Sequence, residues 1–186
     1  PEFETPNIEY HVQPLSLDAF GEPLHPFPAF TASVCNLRPE SRGHVRIKSG
    51  HWADPPEISP NYLSVPADRK VAADALRLTR RIVLESKAFG PYSPEEVKPG
   101  LDYQSDEELA EMAGTHSTTI FHPVSTCKMG DDPMAVVDAR LKVHGVSGLR
   151  VADASIMPTI TSGNTNAPTM MIAEKASDMI LEDAEG

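Results

Sequence analysis

Sulfur is scarce in this chain: Cys35 and Cys127 are the only cysteines in 186 residues. They show no CxxC spacing and no histidine at zinc-like spacing, so neither a disulfide framework nor a metal centre is expected. Free thiols fit a reducing cytoplasm, the expected compartment. Aromatics make up only 6% of the residues, with a single tryptophan, Trp52, and no cage for a quaternary ammonium is evident. No run of about 18 apolar residues exists, so no membrane span is expected. Positive charge is also in deficit, 16 Lys and Arg against 27 Asp and Glu, a net charge of −11. Such a surface repels nucleic acid and anionic lipid, which removes both from the partner list. Two motifs are missing as well. GxGxxG, the dinucleotide fingerprint, occurs nowhere, and neither does the GxSxG elbow of serine hydrolases.

Proline, by contrast, is plentiful, 18 residues with 11 glycines, and it cuts the chain into short elements. Hydrophobic content of 40% and charged content of 23% are those of a soluble globular chain of one or two domains. Residues 8–13 (IEYHVQ) alternate like a half-buried strand. Residues 15–30 form an irregular proline-rich loop, whose Phe20, Phe27 and Phe30 either line a substrate entrance or pack on a sheet. Residues 31–37 and 44–48 are expected as antiparallel neighbours across the turn RPESRG, with Val45 and Ile47 sharing one face. A helix is expected from Pro66 to Ser86, capped by Ser64, with Asp68 at its positive end. Its stripe is Val71, Ala75, Leu78 and Ile82, with Arg77, Arg80 and Arg81 on a solvated face. A second helix begins at the capping box Ser105–Glu108, carries Leu109 and Met112 inward and ends near Gly114. LKVHGV and GLRVADA read as short strands, and a last helix runs from Pro168 to about Asp183 with Asn166 as its cap and Ile172, Ala176, Met179 and Ile180 buried. The fold class is therefore α+β.

The chemistry-bearing residues gather between Thr115 and Thr169. Gly130, Gly145, Gly148 and Gly163 punctuate this stretch, where the backbone is expected to need positive φ or a close approach. Among seven histidines, His122 is followed by Pro123, which restricts its backbone and suits a fixed imidazole. Read alone, a His–Pro pair is more often structural. Asn164 lies in SGNTNAP, where a turn asparagine is the ordinary reading, and Asn166 has the same reading as a cap.

HPVSTCKMG, VVD, GLRVADASIMP and SGNTNAPTMMIAEKASDMI resemble the C-terminal signature of the glucose–methanol–choline (GMC) flavin oxidoreductases, in particular their choline dehydrogenase-like branch. A looser likeness extends upstream through RPESRGHVRIKS, DRKVAADALRLTRRI and SPEEVKPG. The resemblance implies that residues 1–120 form a substrate-binding domain, an antiparallel sheet backed by helices. Residues 121–186 would then complete a FAD-binding α/β domain, with GLRVADA as its strand. It implies oxidation of a primary alcohol to an aldehyde, with His122 as the base and Asn164 orienting the hydroxyl. Asp153, Ala154, Asn166, Ala167 and Pro168 would contact FAD. Because GxGxxG is missing, the chain reads as the C-terminal portion of a longer enzyme, expected to be inactive and free of FAD alone, with the N-terminal FAD-binding part as its partner. Two alternatives stay open: a lyase cleaving cyanohydrins on the same scaffold, and an inactive binding module.

Overall fold

The computed structural model describes residues 4–19 and 21–185; Phe20 lies outside them, so its place at a substrate entrance is not addressed. The fold is mixed helix and sheet, in two compact units. The first unit comprises Pro1–Arg42 and Tyr62–Ser117, the second Gly43–Asn61 and Thr118–Gly186.

In the first unit, β1 (Ile8–Gln13) pairs antiparallel with β2 (Thr31–Asn36), in register from Ile8↔Asn36 to Gln13↔Thr31. The alternation of IEYHVQ thus marks a real strand. The pairing of residues 31–37 with 44–48 does not form. Instead, the chain after β2 is drawn to the helix α1 (Pro66–Leu84). The carboxylate of Asp68, 4% exposed, accepts from Asn36 Nδ2 at 3.2 Å, Glu40 N at 2.9 Å and Ser41 N at 2.8 Å. Those bonds hold RPESRG against α1 rather than in a hairpin turn.

The cap of α1 is Val65 rather than Ser64, and its side chain makes no capping hydrogen bond. With Pro66 in the first turn one amide donor is already absent, and Ser41 Oγ accepts from Val65 N at 3.3 Å. The expected stripe is displaced. Ala73 and Ala75 are buried and Ile82 is exposed, because small residues let α1 lie close to its neighbours. One neighbour is α2 (Asp106–His116), whose Leu109 is fully buried, a burial that stabilises by about 1.5–3 kcal/mol. The capping box at Ser105 and Glu108 is present as expected. Backbone N–H groups of Ser105 and Gln104 hold the Glu108 carboxyl below its usual range. Arg80 departs from the solvated role expected for it. Only 11% of its side chain is exposed, and it bonds to Glu96 at 2.8 and 2.9 Å and to the carbonyls of Tyr103 and Gly100. It ties the proline-rich stretch 90–104 to α1.

In the second unit, β3 (His44–Arg46) pairs antiparallel with β4 (Glu57–Ser59). Val45 is 49% and Ile47 89% exposed, since a ribbon of two three-residue strands cannot bury a face by itself. The core of this unit is Val137, Leu141, Ile156, Met157, Ile172 and Ala176. Ile172 and Ala176 come from α3 (Asn166–Glu185); of the other two residues expected in its stripe, Met179 is half-buried and Ile180 is exposed.

LKVHGV and GLRVADA do not form strands. Single bridges replace them: Met129↔Val137, Val137↔Val143 and Lys142↔Arg150. Asp138 Oδ1 accepts from Arg140 N and Lys142 N, Leu141 has φ of 64°, and Gly145 and Gly148 have φ of 75° and 74°. Turns this close together leave no length for a ladder. Gly130 also has positive φ, whereas Gly163 has neither positive φ nor any neighbour within 4 Å of a built Cβ; Ser162, before it, takes the left-handed conformation.

Candidate active site

His122 sits in the second unit, in coil between two residues of strained backbone. Phe121 has φ of 65° and Ser125 φ of 74°, a region that non-glycine residues avoid unless the surroundings enforce it. Ser125 Oγ supplies part of that enforcement, donating to Met157 O at 2.7 Å. Backbone bonds from Cys127 N to Ser155 O and from Met129 N to Ile156 O continue the same seam. HPVSTCKMG is thereby fastened along residues 155–157.

The half-buried imidazole meets Thr165. Nδ1 lies 2.9 Å from Thr165 Oγ1, and the Thr165 amide nitrogen faces it at a longer 3.4 Å. Among the described residues Nε2 makes no hydrogen bond. Since Asn164 precedes Thr165 and is exposed, the fold brings the peptide carrying Asn164 to the histidine.

Asn166 is not the cap of α3 but its first helical residue. Thr165 precedes it, its carbonyl accepting from Thr169 N at 3.0 Å and Thr169 Oγ1 at 2.6 Å. Asn166 and Ala167 are exposed, so the first turn of α3 presents amide donors and the positive end of its dipole. Asp153 is exposed and caps the 3₁₀ turn Ala154–Ile156, its Oδ1 accepting from Ser155 N at 2.8 Å. Ala154 packs against the core. An open cleft of about 360 Å³, lined by Met129, Ile156, Pro158, Ile160, Pro168 and Met171, runs beside these residues. A flat, partly apolar cofactor with an anionic edge fits this donor set: apolar walls, exposed amides and a helix start.

The first unit holds a second polar cluster. Glu9 and His11 occupy one face of β1, and Cys35 lies across from Glu9 on β2. Their ligand-capable atoms lie within 4.8 Å of one another. Glu9 Oε2 and His11 Nε2 are buried without a hydrogen-bond partner. Burial, and next the Glu9 carboxylate, push the Cys35 thiol up, which opposes the thiolate a metal would require. Tyr10, on the other face, bonds to Thr79 of α1 at 3.0 Å, so the cluster belongs to the face turned away from the helix. Sequence reasoning missed it because β2 was expected to pair elsewhere. It missed Thr165 because the more conspicuous Asn164 and Asn166 flank it; a hydroxyl directly before a helix start was the available signal.

A family model described as GMC oxidoreductase matches residues 39–173. The oxygen-dependent choline dehydrogenase of Pseudomonas fluorescens is 47% identical over 180 residues, 97% of this chain and 32% of that protein. The chain thus spans about a third of the length of the curated relatives it matches. Pyridoxine 4-oxidase from Mesorbium loti is similar in structure, with a TM-score of 0.83 and 31% identity over 93% of this chain and 34% of that one. An FAD-dependent oxidoreductase from Chaetomium thermophilum matches with a TM-score of 0.76 and 33% identity, covering 83% of this chain and 27% of that one.

Proposed function

Since the chain belongs to the GMC oxidoreductase family, we infer that it is the C-terminal portion of an FAD-dependent enzyme oxidising a primary alcohol, choline-like or other, to the aldehyde. The observation that carries the reading is the His122 imidazole, held through Nδ1 by Thr165 and open at Nε2. Removing two electrons from R–CH₂–OH sends the hydroxyl proton to a base and the carbon-bound hydrogen, with its electron pair, to an acceptor. Bound FAD supplies that acceptor at flavin N5.

The other tasks fall to this chain. Nε2 of His122 takes the hydroxyl proton, which suits an imidazole working near neutral pH. The Asn164 amide cannot act as a base; it donates a hydrogen bond to the substrate oxygen as that oxygen becomes an alkoxide. Asp153, Ala154, Asn166, Ala167 and Pro168 hold the cofactor, with the start of α3 favouring its anionic edge. Residues 1–120 serve as the substrate-binding part. Residues 121–186 complete the FAD domain. Two unbridged, half-buried cysteines suit a reducing compartment, and the cytoplasm is our assignment. None of the described helices is long and apolar enough to cross a membrane.

The test uses the full-length flavoprotein mixed anaerobically with a panel of primary alcohols. Bleaching of the flavin band with stoichiometric aldehyde is expected for at least one of them. A panel without any bleaching, or cyanohydrin cleavage with the flavin left oxidised, would remove the reading.

A further inference from the structure

We propose that Thr165 is a positioning residue that decides which nitrogen of His122 carries the proton, an inference that rests on the base role given to His122. Thr165 offers Nδ1 two groups with opposed demands: a hydroxyl at 2.9 Å and its own amide nitrogen at 3.4 Å. An amide N–H only donates, so it favours a bare Nδ1 and puts the ring proton on Nε2, which then has no lone pair for a substrate proton. A hydroxyl either donates or accepts. Its contact lies within ordinary hydrogen-bond range, whereas the amide contact lies beyond it. The hydroxyl therefore decides: Nδ1–H donates to Thr165 Oγ1, and Nε2 keeps its lone pair. When Nε2 is protonated, Nδ1–H keeps the same acceptor, so the ring need not turn between the two states.

The placement of Thr165 supports this role. It is 7% exposed, and Asp68 is the other buried polar residue among those described. Its β-branched side chain is stiff, and its carbonyl is fixed by two bonds from Thr169. A threonine directly before a helix ordinarily turns its hydroxyl to the amides of the first turn. Here the hydroxyl is on His122 instead, 43 residues away in sequence.

Thr165→Val keeps the shape and removes the acceptor, leaving only the amide N–H to face Nδ1. The ring proton of neutral His122 must then move to Nε2. Imidazole ¹⁵N shifts of the flavin-loaded protein, recorded at about pH 8.5, well above the usual histidine pKa, read the tautomer directly. Nδ1–H is expected in the wild type and in Thr165→Ser, and Nε2–H in Thr165→Val. Rapid mixing should show flavin reduction slowed about 10²-fold in Thr165→Val, with KM changed far less, and within about threefold of wild type in Thr165→Ser. Should Thr165→Val fail to fold, Thr165→Ala provides the same comparison. Nε2–H in the wild type, or Nδ1–H in the valine variant, overturns the proposal. Tautomers that behave as expected beside full-speed reduction by His122→Asn would sustain the hold of Thr165 on the ring while removing the base role.

Discussion

At the scale of single residues, the two buried polar side chains among the described residues do for their units what no apolar contact could. Asp68 gathers the amides of Glu40 and Ser41 with the side chain of Asn36, and Thr165 holds His122. Neither role was legible beforehand. An aspartate in a first helical turn looks like a partner of the helix dipole, and its acceptors' donors come from a segment some 30 residues earlier in the chain. His122 was legible through Pro123 and the family motif, and Asn164 through the same motif; their common anchor was not. Asn164 yields a prediction at this scale. On the role proposed for it, Asn164→Ala removes a donor to the developing alkoxide and should cost about 2–4 kcal/mol of transition-state stabilisation, read as kcat/KM for the alcohol. Asn164→His should retain measurable turnover, since imidazole also donates. A wild-type kcat/KM in Asn164→Ala would leave the residue a turn asparagine only.

Among the elements, helices were read well and strand pairing poorly, for a physical reason. Capping and 3.6-residue periodicity are local signals, and α1, α2 and α3 stand within a few residues of where the sequence placed them. Pairing depends on what else competes for a strand, and Asp68 won residues 40 and 41 from the expected hairpin. The β3–β4 pair gives a sharp test. A Cβ on Gly43 would stand 2.0 Å from Ser59 O and 2.6 Å from the Pro60 carbonyl, backbone atoms that cannot rotate away. Gly43→Ala should destabilise the chain by about 1–3 kcal/mol in denaturant unfolding, as overpacking does, and shift the amide signals of residues 44–46; unchanged stability would mean the backbone yields there freely. The end of α3 gives another. Asp183 pairs with Lys142 at 2.5 Å, with Arg140 at 2.8 Å and with Arg150. The Lys142 ammonium, followed by Arg140, lowers its carboxyl from the ordinary 3.8 to about 2. A depressed folded pKa means that the stabilisation is complete above about pH 4 and lost as pH falls towards 2. Amide protection over residues 178–185, measured relative to the intrinsic exchange rate, should therefore fall across that window in the wild type, while Asp183→Asn should show reduced protection already at pH 5. Equal protection of the two proteins at pH 5 would show that α3 holds without this network.

For the molecule as a whole, the chain is a GMC oxidoreductase segment about a third as long as its curated relatives, folded as two units each with its own polar organiser. The second unit carries the apolar cleft, the helix start and the histidine within one stretch of chain, which is why the signature motif was so readable there. The first unit carries a half-buried polar cluster on a strand face assembled from residues 9, 11 and 35, a grouping that only the register creates. The central claim is that His122 accepts the hydroxyl proton, and rapid mixing of the full-length enzyme with its alcohol tests it most directly. With bound flavin matched between proteins, His122→Asn and His122→Ala should reduce flavin about 10²-fold or more slower than wild type, because neither side chain accepts a proton. Reduction at near-wild-type rates in both variants would contradict the account and turn attention to His116, six residues upstream.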